Sequence, residues 1–317
     1  MNFRDLEYLV AVADLGHFGQ AAAHCHVSQS ALSLQLKKLE AELGVQLIER
    51  TSRRVVVAPA GRPLVERARG ILRSRQELLD DAALEVGQMP ATITLGLIPT
   101  IAPYQIGPML KAMKEAHPGT TLRIVEDITQ NLVQATARGE LDAAIIATDT
   151  NDSLIAETEL GHDELLLAVA RAHPLARRAQ VEHKHLRGET MLLLKDGHCL
   201  SDQAASFCNA NSVGAATISI AASIDTLKAM ICAGMGVTLI PRMAVASAPP
   251  DQCLVFLPLK PAPTRIIRVI TRKTSRLGPL LAAALGGAMT KGKRDCVRRA
   301  SKSGATGNKT RSSPGRR

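Results

Sequence analysis

Apolar residues recur every three or four positions near the start of the chain, which predicts helices. Residues 5–15 form one amphipathic segment, and a short Ala-rich segment follows at 18–25. Ser28 is suited to cap the next helix, 29–43, whose leucines share one face. Two short helices joined by a tight turn predict a helix-turn-helix, and the three valines at 55–57 predict a small hairpin or wing after it.

Residues 60–86 predict one long helix. Its apolar positions fit a heptad seam that Arg75 interrupts. Because such a seam favours pairing with another helix, most simply that of a second copy, we expect a homo-oligomer, either a dimer or a tetramer.

The pattern changes at Thr92 to strands alternating with helices. Residues 92–147 predict a βαβαβ unit, which implies a parallel sheet with right-handed crossovers. The alternation resumes after residue 163 and ends in a helix at 277–289. About 200 residues of this pattern suit two α/β lobes.

The predicted architecture is therefore α+β and multidomain. A winged helix-turn-helix occupies 1–58, a linker or dimerisation helix 59–89, and a two-lobed α/β domain 90–290. The last segment, 291–317, is rich in Lys, Arg, Ser and Gly and predicts a basic disordered tail.

Composition excludes several classes of protein. Hydrophobic residues make up 46% and charged residues 21% of the 317 residues, which excludes a mainly disordered chain. No apolar run approaches the roughly 18–20 residues that span a bilayer, and the N-terminus lacks the pattern of a secretory signal. We therefore expect a cytoplasmic protein that does not bind membranes. Aromatic residues are only 2%, which argues against a binder of single-stranded nucleic acid.

The net charge of +10 comes almost entirely from the tail. Residues 291–317 hold ten Lys/Arg and one Asp, a net of +9, so the other 290 residues carry only +1. A prediction of DNA binding must therefore rest on a motif. The helix-turn-helix supplies it, because its second helix would enter the major groove. The residues predicted to contact bases or phosphates are Ser28, Gln29, Ser30, Ser33, Lys37, Lys38, Arg50, Arg53 and Arg54.

The six cysteines include no C-x-x-C pair, so neither a thioredoxin motif nor a zinc ribbon is predicted. We expect most of them to be ordinary reduced residues. Cys232 would lie in the core, and nothing in the sequence around Cys253 and Cys296 points to a function. The adjacent His24, Cys25 and His26 cannot all converge on one metal ion. The sequence predicts neither a metal site nor a cofactor.

Two cysteines, Cys199 and Cys208, occur in the segment DGHCLSDQAASFC. Ser201 would cap a helix there, which leaves Cys199 just ahead of a helix N-terminus, where a thiolate is favoured and its pKa lowered. Asp202 would accept a hydrogen bond or take part in proton transfer. Nine helical residues span about 13.5 Å, whereas a disulfide needs Cα atoms about 4.4–6.8 Å apart. A bond between these cysteines would require refolding, and spacing alone favours two unrelated cysteines.

Thr100 and Thr129 each follow a predicted parallel strand. Ligands of α/β folds bind at the carboxyl ends of strands, so two hydroxyls there are suited to a small polar molecule. The alternative is that each threonine caps the helix that follows it.

The segment AAAHCHVSQSALSLQLKKLEAELGVQLIERTSRRVVVAPAG resembles the LysR-type transcriptional regulators, and the resemblance extends over about 1–285. It implies a winged helix, a linker helix and an effector domain similar to a periplasmic binding protein. It also implies that the partners are double-stranded operator DNA, a second copy of the chain and RNA polymerase. Ser30 stands where many members have Pro, and Leu34 where many have a basic or small residue, so the operator sequence does not carry over.

The pattern GHCxxDQxxxFC resembles the redox segment of peroxide-sensing members of this family. The resemblance implies that hydrogen peroxide oxidises Cys199, that Cys199 then forms a reversible disulfide with Cys208, and that oxidative-stress genes are controlled as a result, by activation or repression. The peroxide pocket would comprise Thr100, Thr129, His198, Asp202 and Arg265. Two alternatives stay open. One is a family member that senses a small metabolite in the interlobe cleft, with incidental cysteines. The other is a thiol peroxidase, against which the DNA-binding module argues.

Overall fold

The structure, a computed structural model, describes residues 1–50, 55–195, 197, 199–210, 216–246 and 253–300. The chain divides between Gln88 and Met89 into two compact units. In the described part of the chain, no helix is both long and apolar enough to cross a membrane.

The first unit contains the predicted helix-turn-helix and wing. Its elements are α1 (Phe3–Leu15), α2 (Phe18–His24), α3 (Gln29–Leu43), β1 (Ile48–Arg50), β2 (Val55–Val57) and α4 (Arg62–Glu85). Gly16 ends α1 in the left-handed conformation, and the Ser28 hydroxyl caps α3 by accepting from Ala31 N. The leucine face of α3 is buried against α1 and α2, and β1 pairs antiparallel with β2. The helix-turn-helix and the wing are thus confirmed.

A carboxylate holds the wing on the helices. Glu40 Oε1 on α3 accepts hydrogen bonds from Leu47 N at 2.8 Å and Ile48 N at 3.0 Å. On the other side of the hairpin, a Cβ at Gly61 would lie 2.5 Å from Leu47 O, so only glycine fits where the chain enters α4.

The first half of α4 packs on α1, and the second half exposes its apolar residues. Val65 and Ala68 are buried, whereas Leu78 is 70% exposed. Arg75, which interrupts the heptad pattern, lies over the Phe3 ring at 5.2 Å and pairs with Glu7 at 3.1 Å. Its charge therefore ties α4 to α1.

The second unit begins with the predicted βαβαβ. Its first elements are β3 (Thr92–Leu97), α5 (Ala102–Ala116), β4 (Thr121–Glu126), α6 (Thr129–Ala137), β5 (Ala143–Ile146) and β6 (Ile155–Ala170). Strand β3 pairs parallel with both β4 and β5, as the alternation predicts. After β6 come short 3-10 helices at Pro174–Arg177 and His183–Leu186, together with β7 (Val181–Glu182), β8 (Thr190–Leu194), α7 (Cys199–Ala210), β9 (Ala216–Ala221), α8 (Ile224–Cys232), β10 (Thr238–Pro241), α9 (Arg242–Ala246), β11 (Leu254–Leu257), β12 (Leu259–Lys260), β13 (Thr264–Arg272) and α10 (Leu277–Ala300).

Strand β6 runs through both lobes. Its first part, up to Glu164, pairs antiparallel with β13, which in turn pairs with β5. From Leu165 onward it pairs antiparallel with β10 and then with β11. The sequence predicts only 165–170 as strand here, because the preceding residues lack a continuous apolar run.

Each lobe has its own core, and α7 joins them. The first core surrounds β3, β5 and β13, and Cys199 belongs to it. The second surrounds β6, β8 and β10, and Cys208 belongs to it. The helix that separates the two cysteines thus starts in one core and ends in the other.

The C-terminal helix is longer than predicted. The sequence predicts disorder from residue 291, but α10 continues to Ala300. Lys and Arg, which make up five of residues 291–300, are good helix formers, and their helical propensity outweighs the basic composition that suggested disorder. Residues 301–317 lie outside the described part of the chain.

Candidate functional site

A buried arginine organises the centre of the second unit. The antiparallel register of β13 and β6 sets Arg265 opposite Asp163. Arg265 Nε donates to Asp163 Oδ2 at 3.1 Å, and Nη2 lies 3.0 Å from the same oxygen. The Arg265 side chain has no exposed surface, so the pair is a buried one, and each charge depends on the other for compensation.

The same guanidinium holds Thr100. Arg265 Nη1 donates to Thr100 Oγ1 at 2.9 Å, and Nη2 donates to Thr100 O at 3.1 Å. Thr100 is 2% exposed and lies just beyond the carboxyl end of β3. This places a hydroxyl and a positive charge at the end of a parallel strand.

Thr129 completes this group from the end of β4. It is the first residue of α6, yet the cap of α6 is Ile128 and that of α5 is Ile101, and neither helix has a side-chain cap. The alternative that Thr100 and Thr129 serve as helix caps is therefore wrong. Among the described residues, Thr129 Oγ1 is buried without a completed hydrogen bond.

The Cys199 thiol lies among these groups. Burial is the largest influence on its pKa and raises it above the ordinary value, whereas the Arg265 charge and the hydroxyls of Thr129 and Thr100 lower it. Cys199 is 4% exposed. The sequence predicts a lowered pKa from the helix terminus, which is wrong because burial in the first core outweighs the positive groups.

The start of α7 differs from the prediction by two residues. The helix begins at Cys199, and Ser201, expected to cap it, instead donates its hydroxyl to Leu194 O at 2.9 Å. Gly197 has a φ of +93° just ahead of the helix, and a Cβ there would lie 3.3 Å from Ile128 Cδ1. Glycine thus lets the chain turn against the start of α6 and enter α7 next to Thr129.

The remaining predicted members of the pocket are less central. Asp202 is exposed, and its charge raises the pKa of Cys199, which opposes formation of a thiolate. His198 lies outside the described residues.

Cys208 lies on the same helix but in the other core. It is 3% exposed, and burial raises its pKa. It lies nine positions after Cys199 on a continuous helix, which corresponds to a rise of about 13.5 Å. The two sulfurs are therefore out of reach of each other while α7 is intact.

Sequence reasoning missed two polar residues of this region. Asp163 carries no local signal and is found only once the register of β6 and β13 is known. Gln203 lies one helical turn after Cys199 within the quoted motif. Its Nε2 donates to Ala147 O at 2.6 Å, and its Oε1 is buried without a partner among the described groups. The spacing of four residues from Cys199 would have been enough to suggest it.

Two further cysteines contradict the prediction. Cys232, expected in the core as a thiol, and Cys253, expected to carry no signal, form a disulfide with Cα atoms 5.6 Å apart. Their separation of 21 residues hid the pairing, because only the packing of α8 beside β11 brings them together. Cys25, Cys199 and Cys208 are free thiols. In the described chain, no group of three His, Cys, Asp or Glu is arranged to hold a metal ion.

The second helix of the helix-turn-helix presents a polar surface. Gln29, Ser30, Lys37 and Lys38 are exposed on α3, and Ser33 is half-buried. The Ser28 hydroxyl accepts from Ala31 N at 3.2 Å and lies 3.1 Å from Ser30 Oγ, so part of its capacity is used within the protein. Arg50 ends β1, while Arg53 and Arg54 lie outside the described residues.

Both units match known protein families. Residues 3–62 match the bacterial regulatory helix-turn-helix proteins of the lysR family, and residues 87–287 match the LysR substrate binding domain. The chain belongs to the LysR family. It is therefore a helix-turn-helix transcription regulator, and its curated relatives are regulators as well.

Several proteins similar to this chain are OxyR regulators. The DNA-binding transcriptional dual regulator OxyR of Escherichia coli K12 is 41% identical over 278 residues, which cover 87% of this chain and 91% of the relative. A full-length OxyR from Pseudomonas aeruginosa with a cysteine-to-aspartate substitution has a TM-score of 0.70 and 30% identity, over 91% of this chain and 94% of its own. A cysteine variant of OxyR from Corynebacterium glutamicum with bound hydrogen peroxide has a TM-score of 0.63 and 30% identity, over 98% of each chain.

Proposed function

We propose that this LysR-family regulator senses hydrogen peroxide through a reversible disulfide between Cys199 and Cys208 and controls oxidative-stress genes accordingly. One observation carries the proposal. A buried thiol lies with two threonine hydroxyls and the guanidinium of Arg265, and the second thiol lies nine residues along the same helix. The bound peroxide in the similar Corynebacterium protein supports the same ligand.

The pocket is suited to a small polar oxidant. Peroxide carries donors and acceptors at both ends, and the Thr129 hydroxyl, which lacks a completed hydrogen bond, would gain one from it. Thr100 is held by Arg265 and would present its hydroxyl in a fixed position. Charge from Arg265 would stabilise the thiolate and the hydroxide that leaves. We include His198 and Asp202 in the pocket on the resemblance of their motif.

The chemistry balances with two cysteines and one peroxide. Cys199 loses its proton, the thiolate attacks one peroxide oxygen, the O–O bond breaks, and the departing hydroxide takes the proton to form water. The resulting sulfenic acid is attacked by Cys208, whose proton joins the expelled hydroxide to form a second water. Two thiols become one disulfide, and peroxide is reduced to two waters.

The disulfide requires α7 to unwind. Its cysteines lie about 13.5 Å apart along the helix, and the sulfurs are anchored in different cores. Oxidation would thus exchange one local fold for another, which is the kind of two-state element that a switch needs. The exchange would alter how protomers pair and so how their DNA-binding helices are spaced.

The DNA contacts follow from the surface of α3. We assign Gln29, Ser30 and Ser33, with the remaining capacity of Ser28, to base edges and nearby phosphates. Lys37 and Lys38 on α3, with Arg50, Arg53 and Arg54 in and beyond the wing, are assigned to phosphates. Partners would be double-stranded operator DNA, a second copy of the chain and RNA polymerase, all in the cytoplasm.

A disulfide map after stoichiometric peroxide tests the proposal. The reduced full-length protein is treated with one equivalent of peroxide, quenched with an alkylating agent and digested for mass spectrometry. We expect a Cys199–Cys208 linkage that is absent from Cys199→Ser and Cys208→Ser, and an altered footprint on operator DNA. Unlinked, fully alkylated Cys199 and Cys208, together with calorimetric heat from a small metabolite, would favour the metabolite-sensing alternative.

A further inference from the structure

A second pair of cysteines lies away from the peroxide pocket. Cys232 is the last residue of α8, and Cys253 directly precedes β11. Their Cα atoms are 5.6 Å apart, within the range of about 4.4–6.8 Å that a disulfide requires.

The surrounding fold holds both residues independently of their sulfurs. Ile231 and Leu254, the neighbours of the pair, are buried in the second core. The backbone of Cys253 is also fixed, because its carbonyl accepts a hydrogen bond from Arg171 N at 2.7 Å. The two thiols would therefore stay adjacent after reduction, and bonding needs no refolding.

The two residues differ in exposure. Cys253 is exposed, whereas Cys232 is half-buried against the second core. An exposed disulfide is open to thiols in solution and belongs to the labile class rather than to the inert structural one. A DNA regulator works where small thiols keep most cysteines reduced, so an accessible pair there follows the thiol–disulfide balance.

We propose that Cys232 and Cys253 form a second redox couple, which exchanges with small thiols and disulfides of the glutathione class. The exposed Cys253 is the residue that meets the small molecule, and Cys232 closes the bond. This couple is separate from the peroxide chemistry proposed for Cys199, because it opens and closes without any change of helix.

The exchange balances in two steps. The Cys253 thiolate attacks one sulfur of the small disulfide, whose S–S bond breaks and releases one small thiolate. Cys232 then attacks the Cys253 sulfur of this mixed disulfide and releases the second thiolate. The two cysteine protons pass to the two small thiolates, and two electrons leave the protein, so one disulfide is exchanged for another.

Closing the couple would tie the end of α8 to the start of β11. Both elements contribute to the core that also buries Cys208. The closed form therefore stiffens this lobe, and we expect a melting temperature several degrees above that of the open form.

The test uses the full-length Cys199→Ser protein, in which the peroxide thiol is absent. Reduced protein is equilibrated in glutathione buffers from strongly reducing to strongly oxidising, quenched, alkylated and mapped by mass spectrometry. We expect the loss of two thiols per chain with a Cys232–Cys253 linkage, and its reopening when dithiothreitol is added to the native protein. We also expect the rise in melting temperature to disappear in Cys232→Ser.

Single variants test the order of attack. Adding Cys232→Ser should leave one glutathione on Cys253, whereas adding Cys253→Ser should leave Cys232 as a free thiol. Cys25→Ser is the matched control, because Cys25 is a partly exposed unpaired thiol whose loss should not change the linkage. Free thiols at both positions in every buffer, glutathione adducts without a linkage, or a linkage that resists dithiothreitol in the native protein would each overturn the proposal.

Discussion

Burial sets the resting state of Cys199. The thiol lies beside a guanidinium, yet its pKa stays above the ordinary value because the site is almost closed to water. At neutral pH it rests as the protonated thiol, and its reactivity rises with pH until the raised pKa is passed. Burial therefore sets the resting state, and the nearby charges adjust how readily the thiol ionises.

Neutralising Asp163 should increase the reactivity of Cys199. In Asp163→Asn the Arg265 charge is no longer offset, so the pKa of Cys199 falls, and each unit increases the thiolate fraction at neutral pH about tenfold. Arg265→Gln should do the opposite. The rate of alkylation by iodoacetamide between pH 7 and pH 10, measured in a Cys208→Ser background, gives both pKa values. A shift of the same sign in both variants would mean that altered packing, not charge, governs the thiol.

Single residues also show where sequence reasoning succeeds and where it stops. Cys199, Thr100, Thr129 and Arg265 are separated by up to 165 positions in the chain but were grouped from strand ends and a motif. Asp163 was missed because its role comes from strand register, which depends on distant pairing. The sequence predicts a lowered pKa for Cys199 because it shows a nearby helix end but not the depth of burial.

Among the elements, α7 links the proposed chemistry to a change of fold. Ser206 is exposed on this helix between the two cysteines, so its replacement changes helix stability without touching either core. Ser206→Ala and Ser206→Gly differ by about 1 kcal/mol in helix propensity. If unwinding precedes bond formation, the glycine variant should form the Cys199–Cys208 linkage about fivefold faster than the alanine variant. Rapid-quench mass spectrometry measures this rate, with loss of the Cys199 thiol as an internal control that should not change.

The α3 residues proposed to contact DNA fall into two groups, one assigned to bases and one to phosphates. Gln29→Ala should weaken binding to the specific operator by about 1–3 kcal/mol and leave random DNA unaffected. Lys37→Ala should weaken both and reduce the slope of log affinity against log salt by about 1. Fluorescence anisotropy with both DNAs over a salt series makes the comparison. Equal losses on the two DNAs for Gln29→Ala would contradict a base-reading role.

Element boundaries followed from the sequence where local signals were strong. Helices α1 to α3 and the first βαβαβ unit agree with their predicted positions. The first half of β6 and the extension of α10 were missed. The first half of β6 depends on a partner strand that composition does not show, whereas α10 continues because the helical propensity of its residues outweighs their charge.

At the scale of the whole molecule, α4 exposes apolar residues that a single chain leaves in water. Leu78 is 70% exposed within the predicted heptad seam. Leu78→Asp should therefore weaken self-association, measured as molar mass by light scattering over a dilution series. Leu154, 59% exposed in a turn outside any seam, is the matched control, and Leu154→Asp should leave the mass unchanged. An unchanged mass in both variants would contradict the prediction that the chains pair through α4.

The attachment of α7 to two cores has a consequence in time. Under the proposed chemistry, oxidation of Cys199 needs only the pocket, whereas the disulfide must wait until the helix opens. During that delay two small thiols can return the sulfenic acid to the thiol, because the first forms a mixed disulfide and water and the second releases it as a small disulfide. A brief burst of oxidant would then form no disulfide. Only exposure to oxidant that lasts longer than the opening of α7 would change DNA binding. The helix would act as a low-pass filter on the signal, with a cut-off frequency set by its own stability.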